Sequence, residues 1–209
     1  MNVIIFGASG KTGHELVKQA LAQTHTVTAF VRNPSKLNIT HNNLKIIQGD
    51  VSNYQIVADA VKGHDAVLSA LGAASPFKYD QSIVDGVSNI IKAMEANGIS
   101  RLIYMSAINV KESRGNAGLL IKLIAPLLLR TETAGHEARE NIIRKSGLEW
   151  TLVRSALLTN GQHKATYRSG EDIRANGIAG SISRTDVADF MLRQLTDNTF
   201  LKKAPIIMY

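Results

Sequence analysis

Short apolar runs alternate with stretches in which apolar residues recur every three or four positions. Residues 3–6, Val-Ile-Ile-Phe, have no polar break, which is how a strand buried on both faces reads. Similar strand-like runs follow at residues 25–31, rich in β-branched side chains, at Leu44–Gln48, at 65–72, at Arg101–Ala107 and at 148–154. Between them lie helical patterns. One begins at Glu15, with Leu16, Val17, Ala20 and Leu21 on one face, and another runs through Ile56, Val57, Ala60 and Val61. Residues 81–97 carry Ile83, Val84, Val87, Ile90, Ile91 and Met94 at helical spacing, with Asn97-Gly98 as the stop. Residues 131–146 form a further helix ended by Gly147, and Ile182 leads into a closing helix capped by Ser183 or Thr185. Residues 204–208 predict a last edge strand. Strand and helix in alternation predict an α/β domain on a parallel sheet.

Two segments break the rhythm. Within 109–130, residues 111–118 are polar and glycine-bearing, while 117–129 are strongly apolar. The apolar part is too short to span a bilayer and is interrupted by Lys122 and Pro126. It predicts a partly buried helix over the crevice or in a dimer contact. Residues 159–180, with His163, Lys164, Tyr167 and Arg168, are polar and suit a mobile substrate-side cap.

Composition narrows the chemistry. The 209 residues suffice for one domain with a large core, and no repeat or second domain is evident. The absence of cysteine excludes disulfides, thiol catalysis and cysteine metal sites, and fits a reducing, cytoplasmic setting. No metal is expected. The first strand begins almost at once, which predicts no signal peptide. The net charge of +7 comes from scattered lysines and arginines without a basic run, so small anions explain it better than nucleic acid or a membrane surface.

The richest chemistry sits between the first strand and the first helix. Gly7, Gly10 and Gly13 recur every third residue. Such a loop lets a pyrophosphate approach the backbone and meet the free N–H groups of a helix start. Lys11 and Thr12 add a charge and a hydroxyl there. After the second strand, where an NAD site places an acid about 20 residues past the glycines, stands Arg32, with Asn33, Ser35 and Lys36 behind it. A guanidinium pairs with a 2′-phosphate through two parallel bonds, which favours NADP over NAD. Asp50-Val51 and Ala70-Leu71-Gly72 stand at strand ends, as candidates for the adenine and ribose edges. Asp50 serves equally as a helix cap. Ser106 closes the fifth strand.

Several segments together resemble one family: Gly7-Ala-Ser-Gly-Lys-Thr-Gly, Val31-Arg-Asn-Pro-Ser-Lys-Leu, Gln48-Gly-Asp-Val, residues 63–72, residues 145–154 and Ile182-Ser-Arg-Thr-Asp-Val-Ala. They are similar to the atypical short-chain dehydrogenase/reductases of the NAD(P)H-binding, NmrA-like group, and most similar to its biliverdin-IXβ/flavin reductase branch. The resemblance implies a Rossmann-type doubly wound parallel sheet of order 3-2-1-4-5-6, with a possible extra edge strand, helices on both faces and a small substrate-side cap. Residues 1–209 then form a single domain, with 109–130 and 159–180 as substrate-side insertions. It implies NADP contacts at Gly7, Ser9, Gly10, Lys11, Thr12, Gly13, Arg32, Asp50, Val51, Leu71, Gly72 and Ser106. Ser106 also faces the nicotinamide half.

Two features depart from the wider pattern. No tyrosine is followed four residues later by lysine, so the usual Tyr/Lys proton relay is missing. The loop after the sixth strand reads Arg154-Ser-Ala-Leu157, with Leu157 where the biliverdin reductase branch has a histidine. His136 matches a family Lys or His, or is a surface histidine. The expected activity is hydride transfer from NADPH to a flavin- or quinone-like acceptor, whose proton comes from water. Ser106 and His136 are the candidate catalytic residues, with Arg154, Tyr167 and Arg168 meeting the acceptor. The alternative is a non-catalytic NADP(H)-binding redox regulator. A monomer and a homodimer both fit.

Overall fold

The structure, a computed structural model, describes residues 1–72, 79–176 and 180–209. Six parallel strands make its centre: β1 (Asn2–Phe6), β2 (Thr26–Val31), β3 (Leu44–Gln48), β4 (Ala66–Ser69), β5 (Arg101–Ala107) and β6 (Glu149–Ser155). They pair in the order β3-β2-β1-β4-β5-β6, the doubly wound arrangement that the sequence predicts. Their apolar runs face helices on both sides. Val3 and Ile5 pack into one core with α1 (Lys11–Ala22) and α6 (Arg184–Arg193). Ile4 and Phe6, one residue out of step, pack into the other with α2 (Tyr54–Val61), α3 (Gln81–Ala96) and α5 (Arg130–Lys145).

Helix α1 starts at Lys11, four residues before the periodicity shows, because glycine and polar residues in its first turn hide the pattern. Ser183 is the cap of α6, its hydroxyl accepting from the Asp186 N–H. Asn53 caps α2, so Asp50 is released from that duty and instead accepts from the backbone and hydroxyl of Ser52.

The far edge of the sheet differs from the expectation. The C-terminal strand β10 (Ile206–Met208) pairs parallel with β6 but is not the edge. Outside it lies β8 (Arg168–Gly170), antiparallel, drawn from the polar 159–180 segment. A second ladder joins β7 (Leu157–Thr159) to β9 (Ser181–Ser183).

The apolar 117–129 stretch forms α4 (Leu119–Leu128), which runs straight into α5. Its Ile121 is buried in the core, while Leu119, Leu123, Leu127 and Leu128 are exposed. No helix among the described residues is long and apolar enough to cross a membrane.

Candidate cofactor and active site

The glycine loop is built by its own backbone. Gly7 has φ +75°, and a Cβ on it would lie 2.7 Å from the Ala70 carbonyl oxygen of the neighbouring strand's loop. A Cβ on Gly13 would strike the Gly7 carbonyl and stand 2.8 Å from the Ala8 Cα. These two glycines are demanded by the fold. Gly10 is not. Beyond its own chain neighbours, a Cβ there would meet only the Gly7 carbonyl oxygen within 4 Å among the described residues, at 3.2 Å. Gly10 is also the N-cap of α1 and offers no side chain to the first-turn N–H groups. The result is an uncapped helix start beneath a cradle that a side chain would fill, which fits a phosphate-bearing cofactor.

Gly7, Ser9, Gly10, Arg32, Asp50, Val51, Leu71 and Gly72 line one cavity of about 350 Å³ across the ends of β1, β2, β3 and β4. Lys36 lines it too. Asn33 explains how: its side chain accepts from the N–H and hydroxyl of Ser35 and caps a short turn begun by Pro34, which turns Lys36 in beside Arg32. Asn33 and Ser35 thus shape the site. Two hydrogen bonds from Ser52, with the charge of Arg32 behind them, hold the Asp50 carboxyl below the usual carboxylate range. Lys11 lines a second cavity of about 420 Å³, which shares Ser9 and Gly10 with the first. Thr12 and Gly13 are buried in the first turn of α1.

A third cavity, of about 230 Å³, continues this crevice and shares Arg184 with the second. It lies at the carboxyl ends of β5 and β6, between α4, α5 and β7, with Ala107, Ile108, Ile121, Leu129, Leu157 and Leu158 in its wall. Leu157, set where the resemblance has a histidine, is one of these apolar contacts. The polar groups in the wall include Asn109 and Glu132.

Ala107 faces that cavity, and Ser106, one residue back, points to the opposite side of β5. Ser106 is 1% exposed and donates to Glu140 Oε1 at 2.6 Å. Glu140 is gripped by Arg154, with Nε 3.1 Å from Oε1 and Nη2 2.6 Å from Oε2. The same Arg154 Nη2 holds Glu112 Oε2 at 2.6 Å, and this bond keeps the Glu112 carboxyl below its ordinary range. Arg154 is therefore buried within an ion-pair cluster and does not line the cavity at the ends of β5 and β6.

His136 joins the cluster, its Nδ1 3.4 Å from Ser106 Oγ. It is buried, and burial together with the nearby Arg139 charge pushes its pKa down to about 3, so it is a neutral imidazole. His136 and Glu140 stand four apart on α5, the spacing of the missing Tyr/Lys pair. That spacing is the one mark Glu140 leaves in the sequence, and it does not tell that Ser106 and Arg154 are its partners.

Tyr167 and Arg168 stand elsewhere. Strand β8 is three strands from β5, on the far edge of the sheet. Tyr167 donates to Asp189 Oδ2 at 2.6 Å, and Arg168 donates to the Tyr209 carbonyl. Asp186 binds the N–H groups of Lys164 and Ala165 and ties this segment to α6. Among the segment's described residues, only its start, Asn160 and Gly161, borders these cavities, beside the glycine loop.

Comparisons with known proteins agree with this fold. A protein family described as NAD(P)H-binding matches residues 7–198. YwnB of Bacillus subtilis, an uncharacterised protein, is 29% identical over 202 residues, covering 93% of this chain and 92% of its own. A short-chain dehydrogenase/reductase from Veillonella parvula, solved in complex with NADP, has a TM-score of 0.79 at 22% identity, over 99% of this chain and 93% of that one. ChuY, an anaerobillin reductase from Escherichia coli O157:H7, has a TM-score of 0.78 at 20% identity, over 99% and 96%. With a matched span that runs from the first glycine of the loop to beyond α6, this chain belongs to the NAD(P)H-binding family of Rossmann-fold proteins.

Proposed function

We propose that this protein is an NADPH-dependent reductase of flavin- or quinone-like acceptors, of the kind found in the biliverdin-IXβ/flavin reductase branch. The observation that carries the reading is the crevice itself. It runs from a cavity bearing Arg32 and Lys36, past the uncapped start of α1, to an apolar cavity at the ends of β5 and β6. Arg32 and Lys36 hold the 2′-phosphate, Gly7, Ser9, Gly10 and Lys11 the pyrophosphate, and Val51, Leu71 and Gly72 the adenosine half. A bound reduced nicotinamide supplies the hydride. The protein's part is to hold a planar acceptor against the wall formed by Ala107, Ile108, Leu157 and Leu158 and to keep water from it. Ser106 and His136 act as positioning residues, fixing α5 against β5 through Glu140 and Arg154. The reductase named among the similar structures supports the reaction class.

The row of exposed leucines on α4 supports a second reading, a redox-reporting regulator whose partner docks there. One experiment separates the two. NADPH oxidation is measured against a panel of flavins, quinones and simple ketones, with NADH in parallel. Turnover of a flavin or quinone, faster with NADPH, is expected. No turnover with any acceptor, together with altered hydrogen exchange in 109–130 on cofactor binding, overturns the reductase in favour of the regulator.

A further inference from the structure

Asn109 is only 5% exposed, and it lines the apolar cavity at the ends of β5 and β6. Its Nδ2 donates to Thr133 Oγ1 at 3.1 Å, which leaves Oδ1 as a buried acceptor without a partner among the described residues. Such a group costs stability unless something donates to it. Glu132, in the first turn of α5, lines the same cavity. Its Oε1 is 4.0 Å from His136 Nε2, and its side chain is 31% exposed.

The buried cluster behind β5 sets which way the protons point. Glu140, held by Arg154, takes the Ser106 hydroxyl proton. The Ser106 oxygen then accepts from His136 Nδ1, which makes His136 the Nδ1–H tautomer. The bare Nε2 lies 4.0 Å from Glu132 Oε1 and carries no charge to hold that carboxyl ionised. Burial also raises the Glu132 pKa, against the opposing charge of Arg139. Among the described residues, the groups facing Glu132 are His136 and Arg139 on its own helix and Arg184 of α6 across the cavity.

We propose that Glu132 is the acid of this cavity and Asn109 its anchor, so that the acceptor is of the flavin class, which carries an imide N–H, rather than a plain quinone. The inference rests on the reductase reading. In balance, a C–H bond of the reductant, a reduced nicotinamide dinucleotide, would break. Its hydride, a proton with two electrons, would form a new bond to hydrogen on the acceptor, which becomes an anion while the dinucleotide is left oxidised. That anion takes the Glu132 proton. The carboxyl O–H bond breaks, an N–H or O–H bond forms on the acceptor, and the electron pair stays on the carboxylate, which regains its proton from water. The acid that a Tyr/Lys pair would supply comes instead from Glu132, one turn before His136 on α5.

The test uses the full chain and two probes, lumiflavin and 3-methyllumiflavin, which lacks the imide N–H. Without cofactor, carboxyl NMR of glutamate-labelled protein, assigned with Glu132→Gln, should show Glu132 titrating above the exposed glutamates and shifting when lumiflavin is added. Methylation should weaken flavin binding about tenfold, since it leaves Asn109 Oδ1 unpaired. Glu132→Gln should bind lumiflavin as the wild type does but turn it over about 100-fold more slowly, and wild-type turnover should fall as pH rises through the Glu132 value. If Glu132 titrates with the exposed glutamates, or if the methylated flavin binds equally, the inference fails even where the wild type oxidises NADPH. Absence of NADPH oxidation with every flavin and quinone instead overturns the reductase reading and takes this inference with it.

Discussion

Replacing His136 with glutamine should flatten the acid limb of the protein's stability curve. The imidazole is buried, and its pKa falls from 6.5 to about 3 on folding, through burial and then the charge of Arg139. Above pH 6.5 the group is neutral folded and unfolded and contributes nothing to the pH dependence. As pH falls below 6.5 the unfolded chain takes up a proton that the native state refuses, so stability is lost down to about pH 3. At about pH 4.5, two units into that window, the loss is about 2.7 kcal/mol, at about 1.36 kcal/mol per unit. This is a large part of a typical domain's total of about 5–15 kcal/mol. His25, lowered by burial and by the N-terminal amine, adds its own acid loss, but equally to both proteins. Urea unfolding of the wild type and His136→Gln, near neutrality and at about pH 4.5, gives the comparison. Between the two conditions the wild type should lose about 2–3 kcal/mol more than the variant. Equal losses would refute the buried neutral histidine, whatever the variant's stability near neutrality.

Other outcomes follow from the same geometry. Arg32→Ala should remove most of a preference for NADPH over NADH of about 1.5–3 kcal/mol, measured as dissociation constants, and equal constants in the wild type would defeat the assignment. Gly10→Ala should fold, at a cost of about 1 kcal/mol for the poorer cap, yet bind cofactor at least about tenfold more weakly. Gly13→Ala should instead unfold more readily by about 1–3 kcal/mol or more, because its Cβ strikes the backbone of the loop; melting curves with and without NADPH separate the two. Arg154→Met should cost about 3–5 kcal/mol in denaturant unfolding, since it leaves the Glu140 carboxylate buried beside Ser106 without its main cation.

The features legible in the sequence are those that local physics determines. An unbroken apolar run reads as a buried strand, a 3.6-residue period reads as a helix, and both are properties of neighbouring residues. Hence β1 to β6 and most helices stand where the pattern puts them, Ser183 caps α6, and Gly7, Gly10 and Gly13 mark the tight turn between β1 and α1. Arg32 was equally legible, because the end of β2 must lie beside the end of β1 in any sheet of this winding. What lay beyond reach depends on partners distant in the chain. No periodicity of residues 159–180 tells that Arg168–Gly170 will pair antiparallel with β10, and that pairing carries Tyr167 and Arg168 three strands away from β5. The side to which Ser106 points follows from strand alternation, but its partner Glu140, 34 residues on, and the Arg154 that grips Glu140 depend on how α5 docks between β5 and β6. The unpaired oxygen of Asn109 and the cavity it shares with Glu132 exist only once α4, α5 and β7 have packed around them. Backbone preference and hydrophobic period act over a few residues and are written in order along the chain. The burial that neutralises His136 and strips Asn109 of water is produced by packing, and only the folded chain decides it.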